Sequence, residues 1–318
     1  MGINSNQPHK WKSDIAKSVD MYNEWFMTFA PIAFRSTRIK TTADVENALI
    51  ITENLTIIDH NVLTKNPEIL PTLRMSTCPP LAVDRLIGLS KTSSTLVKKM
   101  ENEHKIPERM TKPSLKKELI KIGTIIQKMA DPDIFVWLSQ NTQPTEIELH
   151  RAATIVADRL CGAVANPIIR NAQEKRQLEA IKKWLEKHGY KHVANNTANK
   201  FTDMQPGTFS FRLNVAVKIG KQNYNIPIDA VIMPKKSGKG QYPLLIEAKS
   251  AGDFTNVNKR RKEEASKMIQ LKTTYGKNIK FILFLCGYFD SGYLGYEAAE
   301  GIDWIWEHSI DDLEKLGL

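Results

Sequence analysis

The sequence has little cysteine and no long apolar run. Its three cysteines, Cys78, Cys161 and Cys286, lie far apart and form no Cys-x-x-Cys pair, so neither a disulfide framework nor a zinc site of that kind is predicted. No stretch of about 18 uncharged apolar residues appears, so we expect no membrane-spanning segment. The first ten residues contain no apolar signal core, and a reducing, cytoplasmic location is therefore expected.

Negative charge is also scarce relative to positive charge. The chain has 45 Lys and Arg against 35 Asp and Glu, a net charge of +10. The excess is uneven, because residues from 166 onward carry 24 Lys and Arg against 17 Asp and Glu. A basic surface favours a polyanion such as nucleic acid, since neutralised phosphates release counterions. Good solubility alone is the alternative explanation.

Residues 1–165 show mainly helical spacing of apolar residues. The aromatic-rich segment from Trp11 to Phe34 predicts a helix that ends near Pro31, since proline breaks the hydrogen-bond ladder of a helix. A second helix is predicted from Ala43 to Leu55, with Thr41-Thr42 as its cap. Pro167 indicates a domain boundary or a helix start. We therefore predict two regions, 1–165 and 166–318.

The second region changes its period from helical to strand-like. A helix over 168–188 is expected to end at His188-Gly189. From Phe209 to Ile219, apolar residues alternate with polar ones, as in a half-buried strand. Two further strands follow in hairpins, and then a helix, a strand, a short helical piece, a strand and a helix. This order predicts an α/β fold with a mixed central sheet flanked by helices.

Two of these predicted strands carry acids. Asp229 lies in Pro227–Met233, and Glu247 and Lys249 lie in Pro243–Lys249. Residues two apart in a strand share a face, so Glu247 and Lys249 point the same way. If the strands pair antiparallel, two carboxylates and an ammonium surround one point, as in a metal-dependent phosphodiesterase. The alternatives are a turn cap at Asp229 and an exposed strand pair, which the apolar run Leu244–Ile246 disfavours.

The order of elements together with Asp229…Glu247-Ala248-Lys249 resembles the PD-(D/E)XK nuclease superfamily over about residues 168–290. Within it, the segments Asn166–Tyr190 and Ile246–Ala265 are similar to XamI-type type II restriction endonucleases. The resemblance implies a restriction-endonuclease-like catalytic domain at 166–318. It implies DNA recognition, dimerisation or both for residues 1–165.

The resemblance also implies a divalent cation, Mg²⁺, which stabilises charge on the phosphodiester. Asp229 and Glu247 are the expected ligands, with the Ala248 carbonyl as a third. Lys249 either deprotonates the attacking water or orients it while stabilising charge, and the sequence does not decide between these. Glu174 lies on the apolar stripe of its helix and matches a glutamate that joins the metal site in the superfamily. A salt bridge with Arg170 or a neighbour one turn away is the alternative.

Basic and polar residues near these strands predict contacts with DNA phosphates. The densest run follows the second acidic strand, and two polar loops at 195–207 and 235–240 could enter a groove. A solvated helix face is the alternative for the dense run, favoured by Glu263-Glu264. The predicted DNA-binding residues are Asn256, Asn258, Lys259, Arg260, Arg261, Lys262, Lys200, Arg212, Lys235 and Lys236.

The predicted function is therefore that of a type II restriction endonuclease. The expected enzyme is a homodimer on double-stranded DNA, because a two-fold dimer places one active site on each strand. A cognate DNA methyltransferase is expected in the host. The alternatives are a structure-selective repair or recombination nuclease of the same fold and a catalytically inactive DNA-binding protein.

Overall fold

The computed structural model describes residues 2–194, 200–220, 222–238, 240–255 and 257–318, without the side chains of 258–261. The chain divides into two compact units. One comprises Met1–Phe29 and Arg170–Leu318, and the other comprises Ala30–Ile169. We refer to them as the sheet unit and the helical unit. The predicted role of residues 1–165 in DNA recognition or dimerisation stays a prediction.

The helical unit is built around one hydrophobic core, to which buried residues between Val45 and Leu160 contribute. Short helices with leucine, isoleucine and valine on their inward faces supply most of this core. The unit contains parts of two long helices, α1 (Pro8–Ile51) and α8 (Glu146–Lys187), and six helices between them: α2 (His60–Lys65), α3 (Leu70–Met75), α4 (Val83–Ser90), α5 (Ser94–Glu103), α6 (Lys112–Met129) and α7 (Val136–Gln140).

Helix α1 continues through Pro31 to Ile51, so the predictions of a helix end there and of a new helix at Ala43 were wrong. A proline removes only one backbone donor, and the next turns of the helix bury Val45 and Ala48 in the core. The hydroxyl of Thr41 donates to the carbonyl of Thr37, four residues earlier, at 3.1 Å. A hydroxyl satisfied in this way lies inside the helix and does not cap it.

Helix α8 likewise continues through Pro167, which is neither a helix start nor a break. Its predicted end is confirmed, because the helix stops at Lys187 and Gly189 has a φ of +72°. By length and composition α8 could cross a membrane. Its apolar residues Ala153, Val156 and Leu160 are buried in the core of the helical unit, which is the position of a core helix.

The sheet unit contains one six-stranded sheet whose strands lie in chain order. The pairs β2–β3 and β3–β4 are antiparallel, and the pairs β1–β2, β4–β5 and β5–β6 are parallel. The predicted mixed α/β sheet is therefore confirmed. The strands are β1 (Lys191–His192), β2 (Thr208–Ile219), β3 (Gln222–Met233), β4 (Leu244–Ala251), β5 (Lys280–Gly287) and β6 (Asp303–Trp306).

Helices cover both faces of this sheet. Helices α9 (Val257–Tyr275) and α10 (Ser291–Ala299) make the crossovers β4–β5 and β5–β6, which parallel strands require. Met268 and Leu271 of α9 and Leu294 of α10 join the core on one face. Ile181 and Leu185 of α8 join the core on the other. Strand β4 thus lies between two cores, and polar side chains at its end are held in a dry environment.

Candidate active site

Pairing of β3 with β4 brings Asp229 and Glu247 together. The antiparallel register pairs Ala230 with Ile246, and the two acids are the next residues of their strands. The Asp229 carboxylate accepts a hydrogen bond of 2.9 Å from the backbone N–H of Ala248. The predicted convergence of the two acids is therefore present in the structure. Their catalytic role stays a prediction.

Glu247 is 6% exposed, and its two oxygens have different surroundings. Oε1 lies 3.2 Å from Lys249 Nζ and 2.6 Å from Lys267 Nζ. Oε2 is buried and accepts no hydrogen bond from any residue that the structure describes. A buried carboxylate oxygen without a partner is costly, and a cation would satisfy it.

The neighbouring acids also change the pKa of Asp229. Burial and then the charge of Glu247 raise the pKa of Asp229 from 3.8 to about 6, against the hydrogen bond from Ala248. Two carboxylates that repel one another in a dry site favour either a shared proton or a cation. The arrangement is therefore suited to hold a cation between β3 and β4.

Lys249 carries the positive charge of the motif and is 18% exposed at its side chain. Its Nζ lies 3.0 Å from Glu264 Oε1 on α9, in addition to its contact with Glu247. Burial lowers the pKa of Lys249, but Glu247 and Glu264 together raise it by more, so the pKa lies above its ordinary value. The side chain is consequently an ammonium at neutral pH.

Glu174 of α8 lines an open pocket of about 870 Å³ together with Asp229 and Arg212. The Glu174 carboxylate pairs with Arg212 at 2.6 Å. The ion pair thus comes from a strand, and not from Arg170 or a neighbour on the helix. Whether Glu174 also binds a metal stays a prediction.

Arg212 has an unusual backbone for a strand residue, with a φ of +52°. The register continues past it without an extra residue, from Phe211–Ala230 to Leu213–Ile228. Phe209 packs on one face of the sheet while Leu213, at the same parity, packs on the other. The distortion at Arg212 therefore reverses which face of the sheet the odd-numbered side chains of β2 occupy, next to Asp229. Backbone strain of this kind is commonly found at functional sites.

The donor set fits a small hard cation that keeps several waters. Asp229 and Glu247 offer carboxylate oxygens, which Mg²⁺ prefers, and one of these oxygens lacks a donor. In the described part of the chain, no three His, Cys, Asp or Glu side chains are already gathered as a metal cage. Glu174 is held by Arg212, which accounts for a two-carboxylate rather than a three-carboxylate set.

The predicted DNA-binding residues are dispersed over this unit. Asn256 and the side chains of Asn258, Lys259, Arg260 and Arg261 lie outside the described residues. Lys262, Lys200 and Lys236 are exposed. Lys235 donates to the His188 carbonyl and covers the Tyr190 ring, so it is held at the end of α8.

Two charged residues at the site were not predicted, Glu264 and Lys267 of α9. Glu263-Glu264 had favoured a solvated helix face, but Glu264 is fully buried. A signal was present in the sequence, because Val257, Glu264, Met268 and Leu271 are spaced by seven, four and three residues. That spacing puts Glu264 on the inward stripe of the helix.

The chain is similar to known proteins. A family model described as XamI restriction endonuclease matches residues 53–306, a range that includes Asp229, Glu247 and Lys249. The type II restriction enzyme SalI of Streptomyces albus G is 52% identical over 317 residues, 99% of each chain. A solved structure, protein VC1899 from Vibrio cholerae, aligns with 13% identity and a TM-score of 0.28. That alignment covers 80% of this chain and 55% of the other.

Proposed function

This chain belongs to the XamI restriction endonuclease family, and we propose that its active centre consists of Asp229, Glu247 and Lys249. It is a type II restriction endonuclease, which cleaves double-stranded DNA at a specific sequence by phosphodiester hydrolysis. The observation that supports this centre is the meeting of the half-buried Asp229, the buried Glu247 and the ammonium of Lys249 where β3 and β4 pair.

We propose Mg²⁺ as the cofactor. When bound, the ion supplies Lewis-acid stabilisation of the phosphoryl oxygens and lowers the pKa of a bound water. Asp229 and Glu247 would hold it through their carboxylates, with the Ala248 carbonyl as a further ligand. Glu174 is the remaining candidate ligand, and it would have to leave Arg212 to take that role.

Lys249 supplies positive charge next to the scissile phosphate. Its ammonium has three N–H donors and is raised in pKa by two acids. It therefore orients the attacking water and stabilises the negative charge that develops on the phosphoryl oxygens. Removal of a proton from that water would require a neutral amine, which the surrounding acids disfavour.

Basic residues around this centre are proposed to contact DNA phosphates. Arg212 lies in the pocket beside Asp229, and Lys200, Lys236 and Lys262 are exposed. The chain is proposed to act in the cytoplasm as a homodimer on a palindromic sequence, with a cognate methyltransferase protecting the host's DNA. A two-fold dimer presents one active site to each strand.

The proposed centre is tested by replacing Asp229 with the isosteric Asn on plasmid DNA that wild type cuts into discrete bands. Loss of a metal-binding carboxylate removes several kcal/mol of transition-state stabilisation, and we expect the cleavage rate to fall about a thousandfold or more. EDTA should abolish cleavage by wild type.

Asp203→Asn is the matched control, because Asp203 is exposed and lies outside the site. It should cleave like wild type. Unchanged cleavage by Asp229→Asn would refute the proposed centre. A smear in place of bands from wild type would refute sequence specificity, and preference for flaps or junctions would favour a structure-selective nuclease.

A further inference from the structure

Four charged side chains form a continuous chain of ion pairs across β4 and α9. Glu264 contacts Lys249 at 3.0 Å, Lys249 contacts Glu247 at 3.2 Å, and Glu247 contacts Lys267 at 2.6 Å. Positive and negative charges alternate along it. Glu247 and Lys249 belong to the proposed centre, whereas Glu264 lies behind it, on the side of the helix.

The carboxylate of Glu264 lies where burial is energetically unfavourable for a charged group. It is 0% exposed, and neither of its oxygens accepts a hydrogen bond from a residue in the described ranges. Among the residues that the structure describes, its positively charged partner is Lys249. Burying a charge costs several kcal/mol, which a single ion pair does not reliably recover. A stabilising role therefore does not account for this glutamate.

A second buried acid lies on α10. Glu297 is 0% exposed. Burial and then the charge of Glu264 raise its pKa to about 8, while the Tyr293 hydroxyl beside it opposes that rise. Of these two helix acids, Glu264 is the one whose carboxylate lies within ion-pair distance of Lys249.

The geometry of an ammonium gives this contact a consequence. A single ion pair lets the lysine side chain swing about the line that joins Nζ to its partner oxygen. Two ion pairs to oxygens in different directions restrict that swing and hold Nζ in one place, with N–H donors left for a further ligand. Glu247 on β4 and Glu264 on α9 are such a pair of anchors for Lys249.

We propose that Glu264 is a positioning residue for Lys249, the second anchor that holds its ammonium in place to face the attacking water or the scissile phosphate. The inference rests on the proposed function of Asp229, Glu247 and Lys249. In that function Glu247 also holds a cation, which weakens its hold on Lys249. Glu264 is then the anchor that the reaction leaves intact.

Glu264→Gln tests this proposal, because glutamine keeps the shape of the side chain and removes its charge. With enzyme in excess over DNA and saturating Mg²⁺, we expect the cleavage rate to fall by about ten- to a hundredfold, because Lys249 loses one of the two charged contacts that hold it in place. DNA affinity measured with Ca²⁺ in place of Mg²⁺ should stay within about twofold, because Glu264 is buried behind the site. Glu264→Asp retains the charge at shorter reach and should fall between Gln and wild type.

Glu263→Gln is the control, since Glu263 is the neighbouring residue on α9 and is exposed. It should match wild type in rate and in affinity. Equal rates for Glu264→Gln and Glu263→Gln would overturn the proposal, as would a parallel loss of rate and DNA affinity. If wild type itself fails to cleave DNA, the proposed function fails, and that result is distinct from either of these.

The pairing is tested independently of cleavage by thermal unfolding of the metal-free protein. Lys249→Met leaves Glu264 charged and unpaired in the core, and should lower the unfolding midpoint. Adding Glu264→Gln to Lys249→Met should recover most of that loss, because the two side chains are coupled. If the two substitutions lowered the unfolding midpoint additively, the proposed pairing of Lys249 with Glu264 would be contradicted. The same result would follow if Glu264→Gln merely destabilised the fold by itself.

Discussion

At the scale of single residues, the charges of the site meet at Glu247. One of its oxygens receives two lysines, and the other is buried without a donor among the residues described. Lys267 and Lys249 offset the negative charge of Glu247. This arrangement lowers the cost of burying Glu247 next to the carboxylate of Asp229.

Arg212 illustrates how a single residue can serve geometry and charge together. Its φ of +52° is strained for any residue with a Cβ, and its guanidinium holds Glu174. Glycine tolerates this φ, whereas alanine does not. We expect Arg212→Gly to be more stable than Arg212→Ala by about 1 kcal/mol in urea unfolding. Both variants should lose cleavage by about tenfold or more, because both lose the guanidinium.

Arg212→Lys controls for charge in that comparison. It should keep more activity than either variant while retaining the backbone strain. Equal stability of the glycine and alanine variants would show that the strain is absent. Full cleavage activity in both variants would show that the guanidinium of Arg212 has no role in cleavage.

The convergence that the structure shares with the sequence-based expectation is the one fixed by strand period. The meeting of Asp229, Glu247 and Lys249 follows from the alternation of faces and from one antiparallel pairing, and local sequence patterns indicate both. Glu264 and Lys267 reach the site because α9 folds back over β4 in the crossover to β5. A charge in an inward helical stripe is visible in the sequence, but the partner that makes it acceptable there comes from another element.

At the scale of elements, helices α9 and α10 determine what surrounds the end of β4. They place the acids Glu264 and Glu297 in one dry region. The ion pairs of β4 thus continue to Glu264 on α9. The free energy of unfolding should depend on pH because Glu297, in the same region, has a raised pKa.

Glu297→Gln should stabilise the protein by an amount that grows with pH. The pKa of Glu297 is raised in the folded state from 4.5 to about 8, so the unfolded state loses its proton first. Wild type therefore loses stability as pH rises from about 4.5 to about 8, and is level above that. The glutamine variant has no such loss. Its gain in unfolding free energy should be larger at pH 9 than at pH 6, by on the order of 2 kcal/mol.

Chemical denaturation at the two pH values measures this difference directly. The exposed Glu263→Gln serves as the reference, and its effect should be the same at both. A gain from Glu297→Gln that does not change between pH 6 and pH 9 would mean that Glu297 is charged in the folded protein.

Helix ends were the elements that the sequence predicted least well. Gly189 ended α8 as expected, because its left-handed φ stops a helix locally. Pro31 and Pro167 did not end theirs. A proline removes one hydrogen bond, and burial of the following turns outweighs that loss, which only the tertiary structure reveals.

At the scale of the whole molecule, a basic chain with an acidic centre has to meet DNA. The net charge of +10 favours binding of DNA through its phosphates. Binding of that kind depends on salt and not on sequence. The choice of sequence therefore comes from side chains that contact base edges in the grooves, and not from the motif that performs the chemistry.

The measurement that tests the account most directly is the mapping of every DNA end made by the enzyme with Mg²⁺ on a long DNA of known sequence. We expect all ends to lie in one short palindrome, at symmetric positions on the two strands, and none to appear with Asp229→Asn. Ends scattered over unrelated sequences, or the same ends from Asp229→Asn, would contradict it.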